Sequence, residues 1–154
     1  HIHEMWPNLE VYTSGGVAFG PYEKSFNALL GKPITVIDTY LASEGFIAFQ
    51  ARPETDAMQL VTDGGIYFEF VPFHPDYISQ DGSLIATAPA LTLSEVALGQ
   101  DYVLIISTVS GAWRYIIGDT IEFTDIEKGF KPLLPNQPSV GKMGVCGEGS
   151  ARYK

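Results

Sequence analysis

Leu9-Glu-Val-Tyr-Thr13 alternates apolar and polar residues and runs into Ser14-Gly15-Gly16; Gly20-Pro21 then opens a helical stretch, and Pro33 introduces Ile34-Thr-Val-Ile37. This succession decides the fold. Alternation followed by paired glycines predicts a strand that ends in a turn. Gly20 suits a helix N-cap and Pro21 a first turn, Tyr22, Phe26, Leu29 and Leu30 share one helical face, and Gly31 suits the left-handed position beyond the helix end. Ile34 to Ile37 reads as a buried strand. A strand, a helix and a strand in that order favour parallel pairing, because the helix supplies the crossover that parallel neighbours need.

Beyond Arg52-Pro53 the pattern changes to antiparallel sheet. Met58 to Thr62 and Ile66 to Val71 flank Asp63-Gly64-Gly65, and Tyr102 to Val109 and Trp113 to Ile117 flank Ser110-Gly111, so two hairpins are predicted. Thr120 to Asp125 adds a further strand past Gly118-Asp119. The expected class is α/β (α+β): a small strand-helix-strand unit over 1–52, then an antiparallel, partly barrel-like β-sheet over 53–130. Residues 1–130 hold 17 acids and 5 bases, whereas 131–154 hold 1 acid and 4 bases, so a body of charge −12 meets a tail of +3. The tail carries Pro132, Pro135 and Pro138 and four glycines without apolar periodicity, which predicts an irregular, loosely held segment.

A chain of 154 residues is long enough to bury one core and too short for several domains. Its net charge of −9 repels a phosphate backbone, which argues against a nucleic-acid partner, and it has no apolar run long enough for a membrane helix. A single cysteine, Cys146, allows no internal disulfide and points to a reducing compartment, hence a cytoplasmic location. The start at His1, without Met or an apolar leader, suggests a piece of a longer protein, with His1 and His3 appended or drawn from mid-chain.

Three segments carry usable chemistry. Tyr40-Leu-Ala-Ser-Glu44-Gly45 follows a strand, and ligands of open α/β sheets gather beyond the carboxyl ends of strands. A Tyr ring stacks on a purine, a Ser hydroxyl bonds a phosphate oxygen, and a Glu carboxylate holds Mg²⁺; a core tyrosine and a capping glutamate are the plain alternative. Ser14-Gly15-Gly16 lets backbone approach a flat base closely, although it lacks the spacing of the familiar phosphate loops and also suits an ordinary turn. Asp119, after Tyr115-Ile-Ile-Gly118, has the acceptors for two ribose hydroxyls, or simply belongs to a Gly-Asp turn. His74 reads as a loop histidine and Cys146 as an inert thiol. Tyr67, Phe68, Phe70 and Phe73 read as the two faces of one strand more simply than as a sugar platform.

Taken together these segments resemble the acyl acid amido synthetases of plant auxin-responsive genes and their bacterial relatives, within the adenylate-forming superfamily. Trp6-Pro-Asn-Leu-Glu10 with Ser14-Gly15-Gly16 resembles that family's strand and glycine turn. Tyr40 to Glu44 matches a Tyr-Ala-Ser-Ser-Glu motif except at Leu41 and Ala42. Tyr67-Phe-Glu-Phe-Val-Pro72 matches a Tyr-Phe-Glu-Phe stretch, and Trp113-Arg-Tyr-Ile-Ile-Gly-Asp119 resembles a Tyr-Arg-Val-Gly-Asp motif in which Ile116 replaces the arginine.

The resemblance implies a middle section of the large N-terminal domain of a ligase that adenylates a carboxylic acid with ATP and Mg²⁺ and passes the acyl group to an amino acid amine. It implies Tyr40 against adenine, Ser43 on the α-phosphate, Glu44 on Mg²⁺, Asp119 on the ribose hydroxyls, and Ser14, Gly15 and Gly16 beside the nucleotide. It also implies a phosphate loop upstream and a mobile domain downstream, both outside this sequence, so that the piece alone is inactive. The rival expectation is a noncatalytic, acidic, β-rich module that grips a sugar or peptide with outward aromatics. The ligase reading requires Gly15 or Gly16, Tyr40, Glu44 and Asp119 to ring one cleft.

Overall fold

A computed structural model describes residues 1–16, 19–52, 57–79, 82–126 and 138–144. Strand β1 (Val11–Gly15) lies parallel to β2 (Thr35–Ala42), with Val11 opposite Thr35 and Gly15 opposite Thr39, and helix α2 (Gly20–Asn27) connects them. A four-residue helix, α1 (Ile2–Met5), precedes this unit. His3 ties it down: its Nε2 donates to the Leu9 carbonyl at 3.0 Å, and its Nδ1 accepts from the Gly31 N–H at 3.0 Å. His3 is therefore an integral tether, which its place near the start of the chain does not suggest.

Several local expectations change. Pro21 does occupy the first turn of α2, but Gly20 is already helical and the helix ends at Asn27, so Leu29 and Leu30 lie beyond it. Tyr22 and Leu29 are exposed. The ring that holds α2 to the sheet is Phe26, 4.7 Å from Tyr12 and 5.4 Å from Phe19 between ring centres. Gly31 is not left-handed; a Cβ there would lie 3.3 Å from the His3 Cβ, so its lack of a side chain accommodates the tether. Strand β2 is half-buried rather than buried, and it extends through Tyr40 to Ala42.

The remaining strands are β3 (Gly45–Phe49), β4 (Met58–Leu60), β5 (Ile66–Pro72), β6 (Asp101–Thr108), β7 (Tyr115–Ile126) and β8 (Pro138–Gly144). They form one eight-stranded sheet in the order β1-β2-β3-β4-β8-β7-β6-β5, antiparallel everywhere except at β1 and β2. The hairpin expected across Asp63-Gly64-Gly65 does not form. Strand β4 pairs with β3 and β8, and β5 pairs with β6, so that turn carries the chain across the mouth of the sheet instead. The hairpin around Ser110-Gly111 forms as expected between β6 and β7.

The expectation of an irregular tail is corrected over Pro138–Gly144. This strand fills the gap between β4 and β7, Val140 facing both Met58 and Phe123. Three prolines and four glycines argued against a strand, but two neighbouring strands with unpaired backbone groups outweigh weak local propensity. Leu133, Leu134 and Cys146 lie outside the described residues.

The sheet curls without closing. Ile47, Leu60, Phe68, Phe70, Tyr102, Leu104, Ile106, Ile121 and Phe123 meet in one core, although β3 and β5 stand far apart in strand order. Only curvature brings their inner faces together, and Ile66 of β5 reaches Gly45 of β3, where a Cβ would lie 2.6 Å from Ile66 Cδ1. Phe70, Tyr102 and Phe123 fill the middle, with Phe70 and Phe123 edge to face at 5.1 Å. Tyr102 is 1% exposed, and its hydroxyl accepts the Ala97 N–H and donates to Gln100. A satellite cluster of Val71, Val103 and Ile105 lies on the outer face under Tyr77, Ile78, Leu84 and Ala88.

Candidate functional site

The Tyr40 to Glu44 segment is not a loop after a strand but the end of β2 and the tight turn into β3, with Ala42 opposite Gly45 and Ser43-Glu44 at the tip. Ser43 is exposed and Glu44 half-buried. Strand β1 runs parallel to β2, so its carboxyl end lies beside Thr39 and Tyr40, and Ser14-Gly15-Gly16 reaches the same edge.

Those three residues divide their work. The Ser14 side chain is buried, and its carbonyl accepts the Thr39 hydroxyl at 2.7 Å. A Cβ on Gly15 would lie 2.7 Å from Thr39 Oγ1, so a glycine is needed for β1 and β2 to meet here. Gly16 has a φ of +87° and open space around its Cα, and it presents backbone to solvent at the strand end.

Asp119 arrives from the far side of the sheet. Gly118-Asp119 is not a turn between two strands: β7 is continuous, and β6 residues Val103 and Ile105 face Thr120 and Ile116, so four residues of β7 advance where β6 advances two. Gly118, at φ +94°, is the hinge of this bulge. Bulges re-aim side chains, and this one turns the Asp119 carboxylate toward Tyr40, whose hydroxyl donates to Asp119 Oδ2. Strands β2 and β7 are not sheet neighbours, so the bond spans the mouth of the curled sheet.

A second phenol lies on the same element as Asp119: Tyr115, which the nearby Glu44 carboxylate pushes above its ordinary range. Tyr40 and Glu44 are four residues apart, as are Tyr115 and Asp119, so each element contributes one phenol and one carboxylate. Tyr115 was absent from the residues singled out by sequence; its spacing to Asp119, which mirrors that of Tyr40 to Glu44, is the signal that could have found it.

The electrostatics follow from these neighbours. Burial, then the hydrogen bond to Asp119 and its charge, and finally the charge of Glu44 push the Tyr40 phenol far above its ordinary range. The neighbouring Glu44 carboxylate raises the Tyr115 phenol. Both phenols therefore stay neutral at physiological pH. Tyr40, Glu44 and Asp119 come together; Ser43 sits at the turn tip and Gly16 on the adjoining strand end.

Other candidates recede. His74 lies in the loop after β5, where its Nδ1 is 3.4 Å from an oxygen of Asp76, a carboxylate two residues away. Phe68 and Phe70 point into the core while Tyr67 and Phe73 are exposed, so the four aromatics form no single platform. A groove of about 800 Å³ runs between α2 and β2, past Lys32, Asp38 and Gln50, but none of the mouth residues lines it. Among the described residues no group of three His, Cys, Asp or Glu side chains could hold a metal.

Comparison with known proteins agrees with this architecture. Residues 59–134 match the GH3 family central domain. The chain is 31% identical over 142 residues to indole-3-acetic acid-amido synthetase GH3.10 of Arabidopsis thaliana, an alignment covering 86% of this chain and 24% of that protein. It is 29% identical over 137 residues to jasmonoyl-L-amino acid synthetase JAR4 of Nicotiana attenuata, covering 86% and 22%. The fold matches the GH3.15 acyl acid amido synthetase with a TM-score of 0.61 at 18% identity, covering 91% of this chain and 22% of that one. A second structure of that enzyme, in complex with 2,4-DB, matches with a TM-score of 0.60 at 24% identity over the same shares. The chain thus spans less than a quarter of the length of these proteins. Within that span, it belongs to the GH3 acyl acid amido synthetase family, residues 59–134 being the segment that matches the central domain.

Proposed function

We propose that this chain forms one wall of the nucleotide and acyl site of an ATP-dependent ligase, which joins a small carboxylic acid to an amino acid amine through an acyl-adenylate. The observation that carries the reading is the hydrogen bond from the Tyr40 hydroxyl to Asp119, with Glu44 close to the same phenol, which gathers separated segments at one mouth. The Tyr40 ring lies against adenine, and its hydroxyl steadies one oxygen of Asp119 while the other remains for a ribose hydroxyl. Gly16 offers backbone, held in place by Ser14 and Gly15. Ser43, exposed on the turn, donates to the α-phosphate.

Two carboxylates facing a polyphosphate repel it, so the site calls for a divalent cation. Mg²⁺ commonly takes one or two carboxylates and completes its shell with substrate phosphates and water, and Glu44, with no metal-ligand cluster among the described residues, suits that mode. When bound, the ion neutralises phosphate charge during attack by the carboxylic acid. The residues of this chain orient the base, ribose and α-phosphate, which contributes by holding the reactants in line. A reducing, cytoplasmic setting agrees with this chemistry.

Exchange of pyrophosphate into ATP, dependent on the carboxylic acid, tests the reading. The 154-residue chain alone should show none, because it offers one wall of the site. Joined to the regions that its relatives carry on either side, it should show exchange, and Asp119→Ala there should raise the KM for ATP far more than that for the acid. Exchange by the chain alone, or an Asp119→Ala effect confined to the acid, contradicts the assignment.

A further inference from the structure

We propose that Glu69 and Arg114 are positioning residues for Asp119: their ion pair, reaching across β6, fixes where β7 begins and so maintains the bulge that delivers Asp119 to Tyr40. Glu69 lies in Tyr67-Phe-Glu-Phe70 and Arg114 in Trp113-Arg-Tyr115, two stretches with no part in the proposed nucleotide site. The residues are 45 positions apart, and their strands are not neighbours, since β5 and β7 flank β6 on opposite sides. Arg114 Nε donates to Glu69 Oε2 at 3.1 Å, and the Arg114 N–H donates to Ser107 Oγ at 3.0 Å. Glu69 and Ser107 thus grip Arg114 by its side chain and by its backbone.

The register shows what the grip holds. Thr108 N–H bonds the Ala112 carbonyl at 2.8 Å while Ile106 stands opposite Tyr115, so two steps along β6 match three along the returning chain. Arg114 absorbs the extra residue at a φ of +45°, the left-handed region that a non-glycine residue keeps only where its surroundings hold it. Past Arg114, β7 makes two pairs with β6, Tyr115 with Ile106 and Ile116 with Ile105, before the larger bulge at Gly118. Beyond that bulge Thr120, Ile121 and Glu122 are paired on both sides, with β6 and with β8. The near side is therefore the weaker anchor. A step of β7 toward the hairpin tip would draw residues out of the bulge, and a one-residue slip moves a side chain to the other face of its sheet. Arg114, held at both ends, blocks that step.

The pair contributes position more than stability. The Arg114 side chain is 63% exposed and that of Glu69 15%, and water screens an ion pair with one partner so open. That Asp119 then meets a ribose rests on the nucleotide site proposed above; its delivery to Tyr40 does not.

A nuclear Overhauser contact between the Tyr40 ring and the Asp119 β-protons, measured in the 154-residue chain, tests the placement. Glu69→Ala should abolish this contact and shift the Gly118 amide, while Tm falls by no more than about 4 °C. Arg114→Gly, which takes the left-handed backbone without strain but has no side chain to grip, should lose the contact in the same way. Glu69→Gln keeps an oxygen that accepts from Arg114 Nε and should retain it. Persistence of the contact in Glu69→Ala and Arg114→Gly, or its equal loss in Glu69→Gln, overturns the proposal. In the chain joined to its flanking regions, Glu69→Ala should raise the KM for ATP and leave that for the acid. Loss of the ring contact with an unchanged KM for ATP supports the positioning and contradicts only the nucleotide reading.

Discussion

Gly15 shows how a site can depend on a residue that touches no ligand. Its missing side chain lets Thr39 come close, and the Thr39 hydroxyl then bonds the Ser14 carbonyl. Threonine is branched and stiff, so it cannot swing clear of a new methyl group. Gly15→Ala should lower stability by about 1 to 3 kcal/mol, the usual cost of overpacking, measured by urea denaturation. Tyr40 makes a different demand. Its folded-state pKa lies above the unfolded value, so its contribution is complete below about pH 10 and is lost as pH rises further, when the unfolded chain releases a proton that the folded chain retains. The native chain should lose stability above about pH 10 more steeply than Tyr40→Phe, in thermal melts taken across that range. Equal slopes would show that the Tyr40 proton is not held by the fold.

At the scale of elements, sequence was informative wherever contacts are local and silent wherever they are not. The parallel pair of β1 and β2 was legible because a helix between two strands leaves few other solutions. The hairpin of β6 and β7 was legible because the turn and both strands lie within a short stretch. Asp63-Gly64-Gly65 looked equally good, yet its flanking strands find better partners elsewhere, and turn residues specify a bend without naming which strands will pair. Pro138–Gly144 was missed for the converse reason: the demand for that strand comes from the open backbone groups of β4 and β7 and is invisible within the strand itself. Val140 pairs on both sides, so Val140→Pro should lower stability on the order of 3 kcal/mol, read as a fall in Tm. An unchanged Tm would restore the picture of a tail that adds nothing.

Across the whole molecule, a curled sheet turns distant sequence into one neighbourhood. Tyr40, Glu44 and Asp119 were legible as candidates because each combines a functional side chain with a strand end or glycine, and the resemblance to a family placed them in one site. The bond between Tyr40 and Asp119 was not legible, because it depends on the curvature that brings β7 opposite β2 and on the two-residue bulge at Gly118. The central claim is that this mouth receives the nucleotide, and the most direct measurement is a map of backbone amide shifts as Mg²⁺ and ATP are titrated together into the chain. The account predicts that the largest changes cluster at Thr39 to Gly45, at Gly118 to Thr120 and at Gly16, and that Asp119→Ala removes most of them. Changes centred instead on the groove beside Lys32 and Asp38, or on exposed Tyr67 and Trp113, would contradict it.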